Sequence, residues 1–230
     1  MDGSRLRYAW LILAFATLPA LGAGENFVAN GSFDNDLKDW TYRYDWKGQG
    51  HYGGNHQLVE VLDKFGGRSK VLRLNCRPQG VADNQGVKVD SKAIPFNPDY
   101  EHTLHVVARS NGPGVRILVE GHRWLPGLPP EGEPELRDLR KFYKFKTVPF
   151  RKKGLTGGVA TIGDRWTQGR MKIPSTPIDK MSSLSMKNFK KVQFLVVHIV
   201  AIAGSAGDVY LDDVKLVRGR KLPRLPSTSK

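Results

Sequence analysis

The sequence predicts an all-β chain folded as an antiparallel β-sandwich. Three observations carry this. Short segments alternate apolar and polar residues with period two, as strands with one buried face do. Clusters such as "RPQG", "PFNPDY", "SNGPG" and "AGSAGD" separate them, and their Gly, Pro and Asn suit tight turns. Helical periodicity is scarce, while 25 Gly and 14 Pro punctuate the 230 residues. A hydrophobic content of 40%, with ten Phe, seven Tyr and five Trp, excludes a disordered chain and suffices for a sizeable core.

In chain order, residues 1–23 read as a secretory signal peptide. Arg5 and Arg7 precede the apolar "YAWLILAFATLPALGAG", with cleavage expected between Gly22 and Gly24. The apolar run before Pro19 is short for a membrane span. The expected mature chain is therefore secreted, periplasmic or held at the cell envelope, with no transmembrane segment. Cys76 is the only cysteine, which excludes an internal disulfide. In "VLRLNC" it shares a face with Leu72 and Leu74, opposite Arg73 and Asn75, and reads as a small core residue.

The next strands follow the same parity. "HTLHVVARS" sets Leu104, Val106 and Ala108 against His105 and Arg109. "GVRILVEGHRW" sets Val115, Ile117 and Val119 against Arg116, Glu120 and His122. The "NGPG" between them predicts a hairpin. Residues 125–164 read as a long basic insertion, with a helical turn after Pro134 and partial order through Leu136, Leu139, Phe142 and Tyr143. "KVQFLVVHIVAI" is apolar on both faces except for His198, as a central strand is. "DVYLDDVKLV" closes a sandwich domain spanning 24–218, and 219–230 read as a disordered basic tail.

Four segments share a pattern. "ENFVANGSFDNDLKDW" resembles the opening of the galactose-binding-domain-like jelly rolls, which include carbohydrate-binding modules of xylanases and glucanases. "FNPDYEHTLHVVARS", "RWTQGRMKIP" and "VYLDDVKL" resemble their later strands, in the same order. The resemblance implies glycan binding on the concave sheet face or at its edge, and a structural calcium joining the first strand to the last. The positions that would ligate it are Asp34 and one of the pair Asp212–Asp213. Strand parity puts Asp213 outward with Lys215 and favours Asp212. The alternative is an Asp212 held by backbone or Arg hydrogen bonds without metal.

Two groups of residues could bind a ligand. "DWTYRYDW" places Trp40, Tyr42, Tyr44 and Trp46 at every second position. Trp40 reads as core; Tyr44 and Trp46 are candidate sugar platforms, with core packing as the alternative. Arg109, Glu120, His122 and Trp124 are the polar and aromatic candidates, joined by His105 and His198 if the strands pair on one face. An Arg109–Glu120 ion pair with stacked histidines would instead be self-satisfied. One carboxylate on that face is too few for a glycosidase, and neither a metal-binding helix motif nor a nucleophile elbow is present, so no catalytic residue is assigned.

The net charge is +14. The insertion concentrates it at Lys141, Lys144, Arg151, Lys152 and Lys153, which predicts attraction to polyanions, with a solvated loop as the alternative. A secreted address points to acidic polysaccharide, not nucleic acid. The sequence thus reads as a secreted, non-catalytic glycan-binding protein. An envelope or matrix protein using the sandwich for protein contacts comes second, and an atypical glycoside hydrolase third.

Overall fold

A computed structural model describes residues 25–43, 54–62, 67–76, 86–127, 132–150, 160–202 and 205–223. Two antiparallel sheets face each other. The front sheet has the order β1 (Trp40–Arg43), β4 (Gly86–Ser91), β10 (Phe194–Ile202), β7 (Gly114–Trp124), β8 (Leu139–Lys144), and β5 (Ile94–Pro95) also pairs with β10. The back sheet has the order β2 (Gly54–Leu62), β3 (Arg68–Cys76), β11 (Gly207–Lys221), β6 (Tyr100–Ser110), β9 (Thr167–Ile173).

The alternation read from the sequence sets the inner faces. Leu72, Leu74 and Cys76 of β3 and Leu104, Val106 and Ala108 of β6 meet Val115, Ile117 and Val119 of β7 and Leu195, Val197 and Ile199 of β10 in one core. Each large side chain buried this way contributes roughly 1.5–3 kcal/mol. Trp40 belongs to the same core: its ring packs 5.3 Å from Phe33 and its indole N–H donates to Asn30 O. The strand β10, flanked by β4 and β7, is central as expected.

The expected hairpin at "NGPG" is not formed. β6 pairs with β11 and β9, and β7 pairs with β10 and β8, so Asn111–Pro113 carries the chain from the back sheet to the front one. Side-chain bonds stabilise this crossing instead of a strand ladder. Ser110 Oγ accepts from Gly112 N and donates to Pro113 O at 2.6 Å, and Asn111 Oδ1 accepts from Asp208 N at 2.6 Å.

Of the stretch read as an insertion, the described residues 132–150 and 160–164 belong to the sandwich. A 3-10 turn at Leu136–Asp138 follows Pro134, as expected, and leads into β8. Phe145, Val148, Phe150, Ala160 and Ile162 then enter the core, because the chain must cover the open side between β7 and β9. A short helix, α1 (Ser183–Phe189), caps that side. Its buried Phe189 sits within 6.3 Å of Phe96, Tyr143 and Phe145 ring centres. The expected tail boundary is also corrected: β11 runs to Lys221, and Leu222 N still donates to Asp99 O. The expected signal peptide lies outside the described residues.

The adjacent aspartates of β11 mark a bulge. Asp212 faces Val107 and Val214 faces Val106, so Asp213 is an extra residue, held at φ 33°. Parity therefore resets. Asp212 shares the half-exposed outer face of Tyr210, not the inward face of Val214 and Leu216 as the sequence suggested. The segment before β1 docks on this bulge. Val214 N donates to Gly31 O at 2.7 Å, Asn26 Nδ2 donates to Val214 O, and Asn26 Oδ1 accepts from Leu216 N. A Cβ at Gly31 would stand 2.0 Å from Val214 O, so only glycine permits the approach.

Candidate functional site

The outer face of the front sheet is the candidate site. Because Val115, Ile117 and Val119 point inward, Arg116, Leu118, Glu120, His122 and Trp124 of β7 point out. Beside them β10 presents Phe194, Val196, His198 and Val200, and β4 presents Lys88 and Asp90. The register sets His198 directly across from Asp90. On the far side, β8 bulges: Gly121 faces Tyr143 and His122 faces Lys141, leaving Phe142 extra. Lys141 then reaches Glu120, while Phe142 lies under the Arg123 guanidinium at 4.4 Å. Gly121 allows this close packing, since a Cβ there would meet Val192 at 2.8 Å and Tyr143 at 3.0 Å.

The result is a chain of charges on a sheet surface. Asp90 Oδ1 lies 2.6 Å from His198 Nδ1; His198 Nε2 lies 3.3 Å from Glu120 Oε2, and His122 Nε2 lies 3.8 Å from the same oxygen. Lys141 Nζ bonds the other oxygen, Oε1. Glu120 is only 14% exposed. Burial pushes its carboxyl up, but hydrogen bonds from His198 and Lys141 and their charges outweigh this and hold it at about 2. Burial likewise opposes the His198 cation, yet contacts with Asp90 and Glu120 prevail and raise its pKa.

These groups line a depression of about 450 Å³, with Lys88, Leu136, Leu139 and Val200 completing its wall. Neither Trp124 nor Phe194 lines it; Phe194 faces His122 in the register and packs edge to face with Trp124, 5.8 Å between centres. Past Leu118, which lines both, a second depression of about 630 Å³ opens among Arg116, Lys144, Lys146, Arg170 and Lys172, with Phe145, Pro149 and Ser175. Among the described residues, no carboxylate lines this second depression; Lys172 is held from outside it by Glu101 at 3.1 Å.

Of the expected ligand residues, Glu120, His122 and Trp124 come together here. Arg109 does not. It belongs to the back sheet, where its guanidinium stacks between Trp166 at 5.0 Å and Tyr210 at 4.6 Å, so the supposed Arg109–Glu120 pair does not exist. His105 is on that sheet too, beside Gln168. That face is self-satisfied around Asp208, which accepts from Arg73, Asn75 and Tyr210. Tyr44, Trp46, Arg151, Lys152 and Lys153 lie outside the described residues; Lys141 and Lys144 border the two depressions. His198, a conditional candidate whose apolar strand favours a self-satisfied stacked histidine, is the centre of the network. Asp90 and Lys88 were not anticipated. The signal for them was the alternation in "GVKVDS", where Val87 and Val89 commit Lys88 and Asp90 to the opposite face.

Asp34 is exposed, and its carbonyl accepts from Lys70 Nζ of β3; the contacts to β11 come from Asn26, Phe27 and Gly31. Asp212 Oδ1 accepts from Asp213 N, and Asp213 Oδ2 pairs with Lys215 at 2.8 Å. Asp213 Oδ1 is buried and accepts no hydrogen bond.

No known protein family and no curated protein matches the sequence. Solved structures are similar to this chain. A protein of Bacteroides thetaiotaomicron named for sugar binding aligns with a TM-score of 0.50 at 11% identity, over 85% of this chain and 100% of its own. The CBM22-1 xylan-binding domain of Paenibacillus barcinonensis Xyn10C aligns at 0.46 and 10%, over 86% and 97%. The enzymatically active domain of a bacteriophage CBA120 tailspike aligns at 0.44 and 11%, over 84% of this chain but 21% of that one. The chain is thus a β-sandwich of the kind seen in the first of these.

The Glu120 network has a pH signature. A carboxylate whose folded pKa is depressed contributes stability above its unfolded pKa and loses it as pH falls through the folded value. The Glu120 contribution is therefore complete above about 4.5 and vanishes toward about 2. Denaturant titrations across that window are expected to show a shallower acid limb for Glu120→Gln than for the wild type. Identical limbs would contradict the network.

Proposed function

We propose that this protein is a secreted glycan-binding protein, that its ligand lies on the outer face of the front sheet, and that this ligand is an acidic polysaccharide. The observation that carries the reading is the continuity of the two depressions along β7 through Leu118. From Trp124 to Arg116 that strand extends about 26 Å at roughly 3.3 Å per residue, a length suited to a polymer. One end offers rings for the apolar faces of sugars and the middle offers charged hydrogen-bonding groups for hydroxyls. The other end offers cations for uronate or sulfate. Among the described residues, no helix is long and apolar enough to cross a membrane.

Binding is favoured over hydrolysis by the chemistry of Glu120. A glycosidase acid must hold its proton near neutrality, whereas His198 and Lys141 hold Glu120 ionised, at about 2. Asp90, the second carboxylate on this face, is committed to His198.

We propose further that the seam between the first segment and β11 takes a calcium ion. The orphaned Asp213 Oδ1 supports this, since a buried carboxylate oxygen without a donor suits a hard cation. Asp34 and Asp212 are its candidate partners there, and the Lys215 ammonium would give way. Removing calcium with excess chelator is expected to lower the melting temperature by several degrees, restored by calcium. An unchanged melt would mean that lysine ammonium groups alone neutralise the seam.

Neutralising Lys144, Lys146 and Arg170 together to Gln tests the glycan reading. Affinity for polygalacturonate or a sulfated polysaccharide at low salt is expected to fall about tenfold, while the melting temperature stays nearly constant, as exposed charges contribute little stability. Raising salt should weaken the wild type more than the variant. Equal affinities of the two proteins at both salts would overturn the acidic-ligand reading.

A further inference from the structure

We infer that Glu120, His122 and His198 form a binding site for a divalent transition metal, zinc being the ion their chemistry suits. One donor atom from each lies within 4.8 Å of the others. Glu120 Oε2 is 3.3 Å from His198 Nε2 and 3.8 Å from His122 Nε2. Tetrahedral zinc with bonds of about 2.0–2.1 Å keeps its ligand atoms roughly 3.3 Å apart. One edge of the tetrahedron already has that length, the Glu120–His122 edge is 3.8 Å, and the third lies within 4.8 Å. Two imidazoles and one carboxylate are a donor set that zinc accepts readily, with calcium and magnesium disfavoured by the nitrogens.

The supporting shell is also in place. Asp90 Oδ1 stands 2.6 Å from His198 Nδ1. With the Nδ1 proton donated to that carboxylate, the imidazole is oriented and its Nε2 lone pair turns toward Glu120, the arrangement that metal-bound histidines use. Lys141 takes the other Glu120 oxygen and so presents Oε2 to the site. Asp90 and Glu120 carry two negative charges against Lys141 and Lys88, so the lining is balanced before a dication enters. The three side chains are 9–14% exposed, which shields the ion from bulk water. The site still borders the depression of about 450 Å³, so its fourth position is open to a water or to an oxygen of a bound ligand.

Without metal, the same residues hold a proton on His198 between two carboxylates, with His122 Nε2 3.8 Å from Glu120 Oε2. The two accounts separate in experiment, and neither needs the glycan. Tag-free protein is stripped with chelator, dialysed, and titrated with Zn²⁺ against a chromophoric competitor, and separately with Co²⁺. The expected result is one ion per chain, visible ligand-field absorption for cobalt, and a melting temperature raised by zinc. His122→Gln and Glu120→Gln should each weaken zinc binding at least tenfold, with the far-ultraviolet circular dichroism unchanged. Asp90→Asn, which removes no ligand, should weaken it about 10–100-fold. Wild-type protein that binds no stoichiometric zinc or cobalt would overturn the assignment, whatever the variants do. So would an ion whose affinity is the same in His122→Gln and Glu120→Gln as in the wild type.

Discussion

The placement of β10 between β4 and β7 is the constraint on which the rest depends. Its inward residues, Leu195, Val197 and Ile199, anchor the core, and the pleat then forces His198 onto the opposite face. An imidazole there is nearly buried between two strands and must find partners. Asp90 supplies one from β4, and Glu120 supplies the other from β7. Each of these acids is committed outward by its own strand's inward valines. Hydrophobic alternation in three neighbouring strands thus builds a polar site on the far side of the sheet, with no loop involved. Sites carried by paired strands are held more rigidly than sites on loops.

Two departures from that regular pleat do the remaining positioning. The bulge at Phe142 lets Lys141 close on Glu120 and brings Phe142 under Arg123. The bulge at Asp213 puts two carboxylates at the docking point of the first segment, where Gly31 and Asn26 bind the last strand. At β11 the extra residue is itself an acid, Asp213; at β8 it is Phe142, and it shifts the parity that brings Lys141 to Glu120.

The inner faces of β3, β6 and β7 were legible in the sequence because period-two alternation is a local property, whereas β10, apolar on both faces, was legible only as a central strand. Sheet membership is not local. Arg109 and Glu120 both project outward from successive strands, and nothing in "SNGPG" reveals that the chain changes sheets between them. The short strand β4 and the bulged β8 escaped notice because six residues, opened by a glycine or broken by an extra residue, leave little alternation to read. The basic stretch looked like an insertion because its charges hid Phe145, Val148 and Phe150, which the core needs. Half of the site, Glu120, His122 and Trp124, followed from β7 alone. His198 and Asp90 required knowing which strands are neighbours.

The reading of the molecule therefore rests on one surface, the outer face of the front sheet. Its central claim, that an acidic glycan binds there, is tested most directly by titrating isotope-labelled protein with an acidic oligosaccharide and following backbone amide shifts. The account predicts shifts clustered on Arg116–Trp124, on Leu139–Lys146 and around His198. Shifts confined to the back sheet, around Arg73, Arg109, Trp166 and Tyr210, would contradict it.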